Sequence, residues 1–503
     1  MQVGSLFLAL VSVPLVTQRF GIEGLGVWLL VQQVASHIQL LELGVASTLG
    51  RFLSRAQSVG DSVGYGRYAS TALVMLILMG AVLILLAFPL GLAFPLIFEL
   101  PAHIEKDAVW MLVIAMLSTA LLLPLRSAFG ILSSQHKFVL IASGDGVALI
   151  LRFTLIILVC KILEQHALVA LSMAVFVPGL LTSSALFVIA MRSISQGLLS
   201  PRLVSIQSMR EFFGISLATM VVTLAATLLR QGSPILAGYS LDVESIPQLA
   251  LPLMLVTSLG PFIGVANQGL VPIASHLDAT RRVEELRIAY LTAVKYTLAL
   301  GLFLLACMLF FAKYFLLFWL SSKDFDPNYI HLIYINLLII YAGYCLTIPA
   351  MFARTVLVAV GLHKVAAQGE FVSVILGLSI GWLLMNVFSL GSTGMALGIA
   401  VAYLFRSVGI LMRQLALYFD EPPARFYGYV WRDQLLTVVP LFLAFIPALF
   451  MKRELRAEIF FSLMAVGLWA HLVFRLIMTE LHREKLKYLL NKATFRRFNS
   501  KRK

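Results

Sequence analysis

Apolar runs of about 20 residues recur along this sequence from residue 3 to residue 478, and no polar interval between them is long enough to hold a globular domain. A run of that length crosses a hydrocarbon core about 30 Å thick as an α-helix. No water is present there to bond exposed peptide groups, so only internally hydrogen-bonded backbone survives. Fourteen runs are legible, near 2–18, 25–49, 69–97, 108–132, 139–160, 167–191, 211–237, 247–273, 288–312, 329–358, 367–388, 393–416, 434–451 and 457–478. The chain therefore reads as an all-α integral membrane protein of about fourteen transmembrane helices. Of its 503 residues, 60% are hydrophobic and 12% charged, against about 45–50% and about 25% in soluble domains. That balance excludes a disordered chain and a large soluble enzyme. Cys160, Cys307 and Cys345 all lie in apolar runs with no CxxC spacing, so they read as small packed hydrophobes and not as metal ligands or a disulfide framework. The first run has no basic stretch before it, and Thr17-Gln18-Arg19 follows it directly. It reads as a spanning helix, not a removable leader.

Lys and Arg are retained on the cytoplasmic side of bilayers and so orient the chain. With both termini cytoplasmic, the inside segments hold 24 of the 38 basic residues and the outside segments 8. The dissenting loop is Lys452-Arg453-Glu454-Leu455-Arg456. Residues 479–503 form a basic tail that carries half of the net +14 and has only Tyr488, Phe495 and Phe498 as aromatics. It reads as a segment resting on anionic membrane lipids, at about 1 kcal/mol per basic residue, and not as a nucleic-acid site.

Two features repeat at one offset. Residues 44–69 and 269–293 share a layout of small residues, a polar basic connector and a new apolar run, while His136-Lys137 and His363-Lys364 each open a span about 227 residues apart. The simplest account is a parallel pseudo-repeat of two six-helix bundles, 1–191 and 211–416, joined by a cytoplasmic linker at 192–210. Two additional helices at 417–478 and the tail at 479–503 complete the chain. Parallel repeats characterise transporters and place a substrate path between the halves.

Six basic residues fall inside spans: Arg152, Arg230, Lys295, Arg354, Arg406 and Arg475. Each costs about 2.5–3.5 kcal/mol at a helix centre and so usually faces a bundle interior or a wet cavity. Lys295, Arg406 and Arg475 lie near span ends, from which they can snorkel to the interface. Arg354, near a span end after Pro349, suits either role. Arg152 and Arg230 are deeper, with apolar residues on both sides, and read as cavity residues. The intramembrane acids are Glu42, Asp145 and Glu370. Asp145 and Arg152 share a helical face, roughly 10 Å apart along the axis. Glu42 reads as an interfacial or helix-packing residue or a protonatable one. Gln32, Gln33, His37 and Gln39 make the second span unusually polar, as a helix lining a wet space would be. Six cations against three acids point to an anionic cargo, which Arg binds with a rigid bidentate fork.

The segments Val13-Pro14-Leu15, Gly21-Ile22-Glu23-Gly24-Leu25-Gly26, Leu40-Leu41-Glu42-Leu43-Gly44-Val45 and Arg51-Phe52 resemble the first two helices of Wzx-type polysaccharide (O-antigen) flippases. These belong to the MATE-like multidrug/oligosaccharidyl-lipid/polysaccharide exporter superfamily. The resemblance extends to Ile235-Leu236-Ala237-Gly238, Gly269-Leu270-Val271-Pro272, Gly361-Leu362-His363-Lys364 and Gly394-Met395-Ala396-Leu397-Gly398, covering most of the chain as a pattern of helices and glycines. Glu42 stands where the family more usually has Asp, and Arg230-Gln231-Gly232-Ser233 stands where many members carry an acid, so coupling through that position is not carried over. The resemblance implies alternating-access transfer of undecaprenyl-pyrophosphate-linked oligosaccharide units across the bacterial inner membrane, for lipopolysaccharide and other surface polysaccharides. It implies H+ or Na+ as coupling ion and polymerase or glycosyltransferase partners. Arg152 and Arg230, with Arg354 behind them, then bind pyrophosphate or acidic sugars, while Asp145, Glu370 or Glu42 offers a protonatable coupling site. Multidrug antiport and lipid II flipping are the alternatives within the superfamily. A membrane glycosyltransferase is the enzyme alternative, although the outside loops are too short to build its site. With no phosphate-binding loop, dinucleotide fingerprint or catalytic triad legible, the expectation is a transporter without cofactor, metal or enzymatic activity.

Overall fold

A computed structural model describes residues 2–39, 42, 45–194, 199–320, 325–432, 434 and 467. The described residues contain helices and no strand, and the described parts of the first twelve apolar runs fall on helices. The runs at 434–451 and 457–478 and the basic tail lie outside the described residues, apart from Gln434 and Gly467. Among the described residues, eight helices are long and apolar enough to cross a membrane by length and composition. The chain is an all-α multi-pass membrane protein.

The first two runs form one helical stretch, α1 (Gln2–Gln39), broken at Gly21, whose φ of 69° and ψ of −173° belong to glycine. The second run is read as one span to residue 49; the described part of α1 ends at Gln39, and Val45 opens a separately described helix, α2 (Val45–Ser58). Val45, Leu49, Phe52, Leu53 and Ala56 are buried along one face of α2 while Arg51 and Arg55 are exposed. That spacing makes α2 an amphipathic surface helix and not the end of a span. Asp61, accepting from the Gly64 N–H at 2.7 Å, caps α3 (Ser62–Phe98). Leu85 and Leu96 on α3 are about three-quarters exposed, a placement suited to lipid.

The fourth run divides into α4 (Ala102–Leu125) and α5 (Ser127–Ser134) at Arg126, just after Pro124. Next come α6 (Phe138–Ile162) and α7 (Ala167–Arg192). The seventh run is α8 (Ile206–Thr227), a π-turn at Leu228–Gly232 and α9 (Ser233–Ser240). Pro234 accounts for the wide turn, because its ring crowds the carbonyl of Arg230 and it has no N–H to offer it. The remaining helices are α10 (Ser245–Ala279), α11 (Val283–Trp319), α12 (Pro327–Ala359), α13 (His363–Asn386), α14 (Gly391–Leu404), a second π-turn at Phe405–Leu411, and α15 (Met412–Tyr418).

These elements fall into two compact units. The first comprises Met1–Leu259, Phe315–Ile340 and Ala367–Ala402; the second comprises Gly260–Tyr314, Tyr341–Ala366 and the chain from Tyr403. The division passes through α10 to α14. Within the first unit, Gly377 and Gly381 of α13 meet Gly398 of α14 so closely that a Cβ on Gly398 would collide with the Gly377 carbonyl. Small residues let helix backbones approach in this way in membranes, where apolar burial alone gives little net attraction between helices. Asn336, Gln248 and Ser392 form a polar clasp there: the Asn336 amide donates to the Gln248 carbonyl at 3.0 Å and to Ser392 Oγ at 3.1 Å. In the second unit, Tyr290 is fully buried beside Phe426 and donates to the Pro349 carbonyl at 3.1 Å.

Candidate functional site

Beyond the break at Gly21, α1 carries Trp28, Gln32 and Ser36 at four-residue intervals, which aligns them on one face. With Gln33 they line a cavity of about 400 Å³ in the first unit. Arg152 of α6 and Arg230 and Gln231 of the first π-turn complete its polar wall. The structure thus brings together the two cations read as deep. Ser36 Oγ donates to Gln231 Oε1 and ties α1 to the π-turn. Arg230 is exposed, and its Nε donates to the Ala226 carbonyl at 3.3 Å.

Arg152 is seated against Gly179 of α7, where a Cβ would stand 2.9 Å from Nη2. Only glycine leaves the guanidinium its place. Arg152 Nε and Trp28 Nε1 are both buried with no hydrogen-bond partner among the described residues. Each is an N–H donor in a wall with two guanidiniums and, among the described lining residues, no carboxylate. Buried donors without partners are costly, and a ligand presenting acceptor oxygens and negative charge would satisfy them.

Arg152 also lines a second cavity, of about 510 Å³, with Glu42, Arg126, Asp145 and Thr182. Asp145 and Arg152 share this cavity as their spacing suggested, without forming one of the ion pairs among the described residues. Glu42, 8% exposed, is paired with Arg126 at 2.5 Å. Sequence reasoning missed Arg126 by counting it among the cytoplasmic loop charges. The signal lay in Pro124, two residues earlier within an apolar run, which marks a break where a cation can turn inward.

The other expected residues lie elsewhere. Arg354, half-buried in α12, belongs to the second unit, and Glu370, 3% exposed in α13, belongs to the first. Neither lines these two cavities. Arg406 donates to Thr347 Oγ1, with Nε at 3.1 Å, and stacks over the Tyr403 ring at 5.2 Å. Arg475 lies outside the described residues. Away from the cavities, Glu23 pairs with His103 at 3.2 Å. Burial pushes the Glu244 carboxyl, in the connector between α9 and α10, above its ordinary range, with Asp242 and Glu23 adding to the shift.

No family model matches the chain, and no curated protein matches it. Solved structures do. An inward-facing multidrug resistance MATE family transporter of the MOP superfamily aligns with a TM-score of 0.73 at 15% identity, over 85% of this chain and 96% of that one. The lipid II flippase MurJ, inward closed, aligns at 0.69 with 14% identity, over 94% and 97%. A MOP superfamily transporter from Pyrococcus furiosus, described under the words "reverse polarity of binding pocket", aligns at 0.55 with 16% identity, over 85% and 96%. At these identities the likeness shows the fold, and the fold is that of the MATE and MurJ transporters.

Proposed function

We propose that this protein is a flippase that moves undecaprenyl-pyrophosphate-linked oligosaccharide units across the bacterial cytoplasmic membrane by alternating access. The observation that carries the reading is the first cavity, with Arg152 and Arg230 in its wall, two orphaned N–H donors and no carboxylate among its described lining residues. Pyrophosphate and sugars cannot cross hydrocarbon unaided, because their polar groups lose water without replacement. A cavity rich in donors and positive charge supplies that replacement. Cationic drugs need the opposite lining, so the cavity disfavours multidrug antiport. Lipid II flipping is the second reading, supported by the MurJ fold match and by a cargo that carries the same pyrophosphate. In this proposal both termini are cytoplasmic and the bundles at 1–191 and 211–416 alternate in exposing the path. Asp145 in the second cavity, or the buried Glu370, takes the coupling proton.

The test is deletion in the native host, followed by analysis of surface polysaccharide and inner-membrane lipid-linked intermediates. Loss of surface glycan with complete lipid-linked units retained on the cytoplasmic face is expected, and Arg152→Ala and Arg230→Ala should each reproduce it at matched abundance. Normal glycan with altered drug sensitivity would overturn the proposal.

A further inference from the structure

The two cavities differ in charge balance. Arg152 and Arg230 of the first face no carboxylate among its described lining residues, whereas Arg126 and Arg152 of the second are offset by Glu42 and Asp145. Anionic cargo entering the second cavity gains from Arg126 only if Glu42 gives it up. We propose that Arg126 is a third anion ligand held in reserve by Glu42, and that its transfer from Glu42 to the phosphate oxygens of the cargo displaces Glu42 and loosens the packing of α2. This rests on the reading of the cavities as an anion path.

Three features support the exchange. The ion pair is lopsided: the Glu42 side chain is 11% exposed and that of Arg126 39%. With both partners lining the cavity, an arriving anion meets the guanidinium more readily than the carboxylate. Arg126 also stands at the boundary of α4 and α5, two residues after Pro124, and Glu42 stands three residues ahead of α2. Finally, phosphate offers the guanidinium a bidentate partner as good as the carboxylate it leaves. A buried carboxylate deprived of its partner is strongly disfavoured, so Glu42 must move when Arg126 leaves. Beginning three residues on, α2 is the element placed to register that movement: its Leu49, Phe52 and Leu53 are buried and its Gly50 lies against Ser133 of α5.

The experiment uses the full chain in nanodiscs, with inorganic pyrophosphate as the probe. Affinity is measured by calorimetry for the wild type, Glu42→Gln and Arg126→Gln, and hydrogen exchange of residues 45–58 is followed in the unaltered protein with and without pyrophosphate. Removing the competing carboxylate should tighten binding on the order of tenfold, within the range typical of coupled sites. Arg126→Gln should weaken binding, and pyrophosphate should quicken exchange in α2 of the wild type. A pair that merely braced the fold would give the reverse: Glu42→Gln would bind no better and α2 exchange would not change. Those two results, with wild-type binding intact, would overturn the latch and leave the anion path standing. Absence of pyrophosphate binding by the wild type would overturn both. The exchange measurement needs no variant, so misfolding of Glu42→Gln does not shield the proposal.

Discussion

Gly179→Ala separates the seating of Arg152 from the stability of the fold, because the two should respond with opposite signs. The new Cβ would stand 2.9 Å from Arg152 Nη2, whereas comfortable heavy-atom contacts begin near 3.5 Å. The guanidinium must therefore retreat by roughly 0.6 Å. The obstructing atom is the far end of a flexible side chain, so the α7 backbone has no need to move. Alanine in a helix interior is favoured over glycine by roughly 0.5–1 kcal/mol, so the melting temperature should hold or rise slightly. Binding should fall. A 1 Å misplacement of a positioned group can cost about 10²-fold, so the smaller shift here is worth on the order of tenfold in pyrophosphate affinity, about 1.4 kcal/mol. The assay pairs thermal melting with calorimetric titration of pyrophosphate, and adds the double variant Arg152→Ala/Gly179→Ala. If Gly179 acts only through the guanidinium, the double variant binds no worse than Arg152→Ala alone. Wild-type affinity in Gly179→Ala, or full additivity in the double variant, would refute the reasoning.

Three further outcomes follow from the geometry. Gly21→Ala places a Cβ on backbone that only glycine adopts freely, costing about 1–3 kcal/mol; a melting temperature equal to wild type would show that the break in α1 tolerates straightening. Gly398→Leu should prevent α13 and α14 from closing and sharply reduce folded protein in the membrane, while Gly146→Leu, with open space at its Cβ, should be tolerated; equal yields by fluorescence-detected size exclusion would sink the packing argument. Glu244 has its folded-state pKa raised by burial, so its stabilising contribution is complete below the ordinary Glu value of about 4.3 and is lost as pH rises through the raised value. Glu244→Gln should therefore gain in melting temperature relative to wild type as pH is raised from about 4 towards 7, and a gap independent of pH would contradict the assignment.

Twelve helical runs were legible because a spanning helix writes its length directly into hydropathy. The exceptions share a physical cause. Nothing in a hydropathy average distinguishes the tail of a span from α2, whose buried face Val45, Leu49, Phe52, Leu53 and Ala56 is interrupted by Arg51 and Arg55. The break at Arg126 and the π-turn at Leu228–Gly232 depend on which carbonyls a nearby proline leaves unpaired. Neighbouring proline is visible in the sequence, but its consequence for side-chain direction is not. Arg152 and Arg230 could be singled out because an isolated cation in an apolar run is conspicuous. Gly179 could not, because its importance exists only across the gap between α6 and α7.

Six intramembrane cations against three acids describe the membrane region as a whole, but a ligand meets only the charges in the wall of one cavity. Arg406 does not contribute to an anion site merely by being buried, since Thr347 and Tyr403 already engage it. Arg126, absent from the six, matters more than several that were counted. A charge closely paired with its opposite presents little net field to a ligand a few ångströms away, whereas an unpaired charge keeps its field in surroundings of low dielectric. The deciding count is therefore the uncompensated charge in each wall. By that measure the first cavity, with Arg152 and Arg230, carries the uncompensated charge that the proposed anion path needs, and on that proposal the second gains it only when Glu42 releases Arg126. Arg152, in the wall of both cavities, offers the proposed path a guanidinium on either side.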